Sequence, residues 1–149
     1  MQVTICTANC VGQAGNCSYP NKVTVVTPEQ LQEAVKKDHV CAEFKGNYRS
    51  IENFIRSDVI VMDIDNDHTE VPADWITAEK LEELFPNVEY LLAPSRHHLL
   101  DKEGKSARPR YHMYFPISEI TDASGYASLK RAIQSAYSFF DGNALDAAR

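Results

Sequence analysis

One nearly continuous apolar segment, VIVMDI, limits the fold of this chain more than any other feature of its sequence. The segment runs from Val59 to Ile64, and its length and β-branched residues are typical of a strand. Strands without regular polar alternation are usually covered on both faces. The segment therefore predicts a central strand that lies between two layers of other elements.

The elements predicted around this central strand are helices and strands in mixed order. Before it we expect the strands QVTICTANC and KVTVVT, the helix TPEQLQEAVKKD and a short strand near residues 40–44. After it we expect the helix TAEKLEELF, the strands VEYLLAPSR and RYHMYFPI, and the helix DASGYASLKRAIQSAYSFF. This order predicts one α+β domain over residues 1–149, with a mixed or antiparallel sheet. Its N-terminal α/β part is expected at residues 1–57 and its second part at residues 58–149.

Composition limits the class of protein. The 149 residues and their 44% hydrophobic content are enough for one domain with a hydrophobic core. The net charge of −6 argues against a protein that is covered in basic surface. No apolar segment has the length of a membrane span, and the first residues lack a secretory signal, so we expect a cytoplasmic protein without a membrane partner. The end of the chain, close behind the last predicted helix, suggests a fragment of a longer protein.

The four cysteines are Cys6, Cys10, Cys17 and Cys41. Their spacing lacks the close Cys-x-x-Cys pair of common zinc modules. We therefore expect free thiols in a reducing compartment, and zinc is not expected as a cofactor.

Two aspartates stand one residue apart where the central strand should end. Residues two apart on a strand point to the same side, so Asp63 and Asp65 should project together. Two neighbouring carboxylates repel each other unless a cation lies between them, and Mg²⁺ or Mn²⁺ prefers such oxygen ligands. The alternative is a solvated strand end, which the following residues Asn66, Asp67 and His68 would suit.

Basic residues and histidines are concentrated between Ser95 and His112. Guanidinium groups, an ammonium group and imidazole rings are suitable donors for the oxygens of a triphosphate. The candidate nucleotide-binding residues are Ser95, Arg96, His97, Lys105, Arg108, Arg110 and His112. For each basic residue alone, the alternative is a solvated surface charge, and for His112 it is a hydrogen-bonded structural histidine.

A further carboxylate is found in the segment FFDGNALDAAR. Phe139 and Phe140 should anchor this segment in a core, so that Asp141 is held in place. A third carboxylate would complete a two-metal site beside the acidic pair. The alternative is a helix end at which Gly142 stops the helix.

Three motifs in this order resemble those of the archaeo-eukaryotic primase superfamily, in particular the primase-polymerase domains of bacterial plasmids, phages and other mobile elements. MDIDND resembles the acidic pair of the family, RYHMYF its histidine motif, and FFDGNALDAAR its third motif, while SRHH also fits this branch. The resemblance covers most of the chain from Val59 onward. It departs at Arg110, where the family usually has serine.

The resemblance implies a fold, an activity and a set of site residues. The fold would be a catalytic core related to the RNA-recognition motif, with an additional N-terminal α/β unit. The activity would be template-directed synthesis on single-stranded DNA from nucleoside triphosphates, with a helicase or an accessory priming domain as further partners. Asp63, Asp65 and Asp141 would hold Mg²⁺ or Mn²⁺, and His112 would contact the nucleotide phosphates.

Two other functions suit the same residues. A non-catalytic module could bind single-stranded nucleic acid and stack bases on Tyr111, Tyr114 and Phe115. A metal-dependent nuclease could use the same acidic pair without any triphosphate.

Overall fold

Seven strands and three α-helices are present in the computed structural model, which describes all 149 residues. In chain order they are β1 (Val3–Thr7), β2 (Asn21–Val25), α1 (Pro28–Ala34), β3 (His39–Val40), β4 (Glu43–Phe44), β5 (Phe54–Ile64), α2 (Ala78–Leu84), β6 (Leu91–Pro94), β7 (Tyr111–Ile120) and α3 (Ala123–Ala136). The strands form two antiparallel sheets, with the orders β2-β1-β3 and β4-β5-β7-β6. The predicted α+β class with antiparallel sheets is confirmed.

Both faces of β5 are covered, as its apolar sequence predicts. Ile60, Met62 and Ile64 are buried in a core that includes side chains of α2 and α3. Val59 faces the other way and is buried in a second core with side chains of β1 and α1. This double burial fixes the register of β5, because a shift by one residue would exchange its two faces.

Short polar side chains begin each helix. Thr27, Thr77 and Asp122 each accept a hydrogen bond from a backbone N–H of the first turn, which satisfies a donor that the helix itself leaves free. Two of these caps, Thr27 and Thr77, are the first residues of the predicted helical segments TPEQLQEAVKKD and TAEKLEELF. None of the helices is long and apolar enough to cross a membrane.

The last helix is shorter than predicted. The sequence pattern extends to Phe140, but α3 ends at Ala136, and Tyr137 leaves the helical conformation. Phe140 instead packs edge-to-face against Phe115, with ring centroids 6.2 Å apart. This aromatic packing draws the chain into the core beside β7, and a continued helix would not place the ring there.

The predicted boundary between the N-terminal part and the second part of the chain, at residues 57 and 58, lies inside β5. The strand starts at Phe54, because the Phe54 ring is buried between Phe44 and Tyr126. The short strand expected near residues 40–44 is two strands, of which β3 joins the first sheet and β4 pairs with β5. The two parts of the chain therefore share a sheet.

Two leucines of α2 test the assignment of the core. Leu81 has 0% exposure and Leu84 44%. Replacement of Leu81 by Ala should lower the free energy of unfolding by roughly 2–5 kcal/mol, because it leaves a cavity in the core. Replacement of Leu84 by Ala in the same helix should cost less than about 1 kcal/mol. Urea denaturation measures both values, and equal losses would contradict the packing described here.

Candidate active site

Three adjacent strands bring the central residues of the candidate site together. In the pairing of β5 with β7, Asp63 lies directly opposite His112, and Ala93 of β6 lies on the other side of His112. Directly opposed residues of an antiparallel pair project to the same face. His112 Nε2 is 3.7 Å from Asp63 Oδ1, close enough for an ion pair when the imidazole is protonated.

A cavity of about 870 Å³ opens in front of these side chains. The cavity is lined by six of the residues predicted from the sequence, namely Asp63, Asp65, Ser95, Arg96, His97 and His112. The N-terminal part supplies another portion of the wall, which includes Gly12, Tyr19, Asp38, His39 and Arg49. The acidic pair, His112 of β7 and the segment that follows β6 therefore face one common space.

Asp63 and Asp65 point into this cavity, although β5 ends at Ile64 and Asp65 is the next residue. Lys102 Nζ donates a hydrogen bond to Asp65 Oδ2 at 3.0 Å. Partial burial disfavours the charged form of Lys102, but the hydrogen bond and the attraction from Asp65 outweigh it and raise the pKa of Lys102. A charged ammonium group therefore neutralises one carboxylate of the pair.

The backbone of Asp141, but not its carboxylate, contacts the acidic pair. Its N–H donates to the carbonyl of Asp63 at 2.9 Å. Its carboxylate accepts hydrogen bonds from the backbone N–H and the side-chain amide of Asn143, at 3.0 and 2.8 Å, and does not line the cavity. No group of three or more histidine, cysteine or acidic side chains is arranged to hold a metal ion.

The position of Arg108 does not suit the role of phosphate ligand that the sequence predicts for it. Its side chain is fully buried and does not line the cavity. The guanidinium donates to Glu70 Oε2 at 2.7 Å and to the carbonyl of Asn66 at 3.0 Å, and it lies over the ring of Trp75. These contacts connect the segment behind β5 to the start of β7, which is a structural role.

Arg110 is also buried outside the cavity. Its Nη1 donates to the carbonyls of His97 and Leu100, at 3.1 and 2.8 Å. Its Nε and Nη2 atoms have no hydrogen-bond partner. Nε lies 3.8 Å from Asp65 Oδ1, and Nη2 lies 3.9 Å from Asp67 Oδ1. Arg110 therefore supports the loop that carries the predicted ligands, and it is not part of the cavity wall.

Lys105 is likewise not part of the cavity wall. Its Nζ donates to the carbonyl of Asp67 at 3.2 Å and is 3.6 Å from the carboxylate of the same residue. The structure thus separates the predicted nucleotide ligands into a group that lines the cavity and a group that supports it.

Asp38 is a cavity residue that the sequence analysis missed. Its carboxylate accepts hydrogen bonds from the N–H groups of Gly12 and Gln13, at 2.7 and 2.8 Å, and from Arg96 Nη2 at 2.9 Å. Burial alone would raise the pKa of Asp38, but these hydrogen bonds outweigh it and lower the pKa. Gly12 has φ +72°, and a Cβ there would lie 3.0 Å from Arg96 Nη1. Asp38 therefore holds the Arg96 side chain against a loop of the N-terminal part.

His39 is a second residue that the sequence analysis missed. Its Nδ1 donates to the carbonyl of Lys37 at 3.1 Å, so in the neutral ring Nε2 accepts from the hydroxyl of Tyr114 at 2.8 Å. Burial lowers the pKa of His39 to about 4. A neutral histidine therefore joins the first sheet to β7 behind His112, whose ring centroid is 6.3 Å away.

All four cysteines are unpaired. Cys6 and Cys41 are buried in the two cores, and burial raises the pKa of Cys6 to about 11 and that of Cys41 to about 12. These two thiols remain protonated at neutral pH.

Comparison with known proteins gives no match to a family model, to a curated protein or to a solved structure. A functional interpretation therefore depends on the geometry of the cavity and on the motifs in the sequence.

The lowered pKa of His39 predicts how stability depends on pH. Between pH 6.5 and about 4, the unfolded chain takes up a proton at His39 that the folded chain does not. The free energy of unfolding should therefore fall as the pH is lowered through this range, by up to about 1.4 kcal/mol per pH unit from this residue. Replacement of His39 by Gln should remove this part of the slope in urea denaturation series. An unchanged slope in the variant would contradict the assignment.

Proposed function

We propose that this chain is a metal-dependent nucleotidyltransferase of the primase-polymerase type. It uses nucleoside triphosphates to start or extend a strand on a single-stranded DNA template. The observation that carries the proposal is the common cavity of Asp63, Asp65 and His112, with the candidate phosphate ligands Ser95 and Arg96 at the end of the neighbouring strand. Phosphoryl transfer depends mainly on such positioning and charge stabilisation.

The topology of the second sheet supports a core related to the RNA-recognition motif. The elements β5, α2, β6, β7 and α3 follow each other in the order strand, helix, strand, strand, helix. The strand order β5-β7-β6 makes the first and third strands neighbours, as in the split βαβ arrangement of that fold. Asp63 and His112 are carried by these two adjacent strands, and Asp65 directly follows β5. The position on the other side of β5 is taken by β4.

The carboxylates of the cavity are suitable for Mg²⁺ or Mn²⁺. Asp63 and Asp65 supply hard oxygen ligands, and the ammonium group at Asp65 marks a position where a cation is already favoured. With two protein carboxylates, the remaining ligands would be phosphate oxygens and water. Asp141 could become a third ligand only if its carboxylate left Asn143 and turned toward the cavity, because its N–H bond to Asp63 fixes only its backbone beside the pair. When bound, the ions would neutralise the triphosphate and activate the attacking hydroxyl group.

The other side chains would bind and orient the triphosphate. His112 lines the cavity beside Asp63, where its ring could donate a hydrogen bond to a phosphate oxygen. Arg96 is exposed to the cavity while Asp38 restrains it, so its guanidinium can offer its remaining donors to phosphate. The hydroxyl group of Ser95 and the ring of His97 complete this basic wall.

The geometry does not favour the stacking surface of the non-catalytic alternative. Tyr114 and Phe115 are buried in opposite cores, and Tyr111 is half-buried beside His98. Base stacking needs exposed aromatic faces. A template strand would therefore be held by charged and polar side chains of the cavity, with a helicase or an accessory priming domain as further partners of the proposal.

A primer-extension assay tests the proposed function. Primed and unprimed single-stranded DNA is incubated with nucleoside triphosphates and Mg²⁺ or Mn²⁺. Replacement of Asp63 or Asp65 by Asn should reduce product formation at least about 100-fold, because each variant loses a charge that the transition state needs. The matched control is Asp74→Asn, which removes an exposed carboxylate that does not line the cavity and should keep most of the activity.

The same assay separates the alternatives. Full activity in the Asp63 and Asp65 variants would reject the proposal. Metal-dependent loss of DNA without any triphosphate, abolished by the same variants, would assign a nuclease instead. Binding of single-stranded DNA without metal, nucleotide or product would assign a binding module.

A further inference from the structure

One lysine contacts the acidic pair from the loop between β6 and β7. Lys102 Nζ forms the only hydrogen bond to the side chain of either Asp63 or Asp65. Both partners are largely buried, with 25% exposure for the lysine side chain and 21% for that of Asp65. Lys102 also lines the cavity, so its ammonium group is within the space assigned to the triphosphate.

The backbone around Lys102 is a tight turn. Lys102 and Lys105 exchange two backbone hydrogen bonds, at 3.1 and 2.9 Å, and the residues between them, Glu103 and Gly104, both have positive φ. This is the geometry of a type I′ turn. Because Lys105 is bound to Asp67, the turn is held against the segment behind β5 at two points, of which only Lys102 reaches the acidic pair.

A divalent cation and the ammonium group of Lys102 compete for the same oxygen, Asp65 Oδ2. Two cations in contact with that one oxygen would repel each other strongly in a partly buried site. Lys102 must therefore leave Asp65 when a metal ion is bound. A triphosphate bound in the same cavity would then offer Lys102 a new anionic partner.

Arg110 is placed to hold Asp65 after Lys102 has left. Its buried Nε and Nη2 donors have no partner, and Nε is 3.8 Å from Asp65 Oδ1, which is about 1 Å longer than a hydrogen bond. Buried donors of this kind are costly unless they gain an acceptor. A small movement of Asp65 would satisfy Arg110 through Oδ1 and leave Oδ2 free for a cation.

We propose that Lys102 is a phosphate-binding residue that is held on Asp65 in the free protein and moves to the triphosphate when metal and nucleotide bind. This inference rests on the proposed function. The movement of Lys102 between Asp65 and the triphosphate has two opposite consequences. Lys102 weakens metal binding while no nucleotide is present, and it strengthens nucleotide binding once the metal is there. Nucleotide therefore promotes the filling of the metal site.

The test is a titration of the purified chain with Mn²⁺, in which the signal of free Mn²⁺ is followed by electron paramagnetic resonance. Without nucleotide, Lys102→Met should bind Mn²⁺ about fivefold more tightly than the wild type, because the competing cation is gone. With Mn²⁺ present, the same variant should bind a nucleoside triphosphate about tenfold more weakly. Lys102→Arg, which keeps the charge, should have nearly the Mn²⁺ affinity of the wild type.

The matched control is Lys37→Met. Lys37 lines the same cavity but forms no hydrogen bond or ion pair with Asp65, so this variant loses an equal charge without freeing the carboxylate. Its Mn²⁺ affinity should change less than twofold. An equal gain in both variants would assign the effect to the overall charge and overturn the inference.

The remaining outcomes distinguish the inference from the proposed function. If wild type and Lys102→Met bind Mn²⁺ equally, and Asp65→Asn abolishes binding, the inference is wrong and the proposed metal site stands. If neither binds Mn²⁺, with or without nucleotide, both are wrong. Circular dichroism checks that each variant is folded, and Lys102→Gln replaces Lys102→Met should the latter not fold.

Discussion

The antiparallel pairing of β5 with β7 is the constraint on which the candidate site depends. It places Asp63 opposite His112, and it turns both side chains to the face where the N-terminal part leaves a cavity. Neither residue needs to be held there by its own contacts, because the apolar neighbours on both faces of β5 fix the register. The chemistry of the site is therefore positioned by the hydrophobic cores.

Local charge, and not the net charge of −6, describes the cavity. Two carboxylates face a wall of basic and imidazole groups, and Lys102 and His112 are the cations or potential cations nearest to them. Such an arrangement favours ligands that carry both a divalent cation and several negative charges. The cation then faces the carboxylates, and the negative charges face the basic groups. A metal-bound triphosphate is a ligand of this type.

Local sequence patterns were sufficient to predict the α+β class and most elements of the fold, and they also pointed to the two strands that carry the candidate site. The strands β5 and β7 and the three helices are predicted from neighbouring residues alone, and Asp63 and His112 lie on these two strands. Long-range contacts were not predictable in this way. The burial of Arg108 and Arg110 depends on carbonyls and carboxylates far away in the chain. The roles of Asp38 and His39 likewise depend on how the short strand β3 lies beside β1 and β7.

The most direct test of the account is a crystal structure with Mn²⁺ and a non-hydrolysable nucleoside triphosphate, in which anomalous scattering locates the metal. The account predicts an anomalous peak in contact with both Asp63 and Asp65, phosphate oxygens completing its coordination, and His112 within hydrogen-bond distance of the triphosphate. A nucleotide bound away from this cavity, or a cavity that holds the nucleotide without metal at the two aspartates, would contradict it.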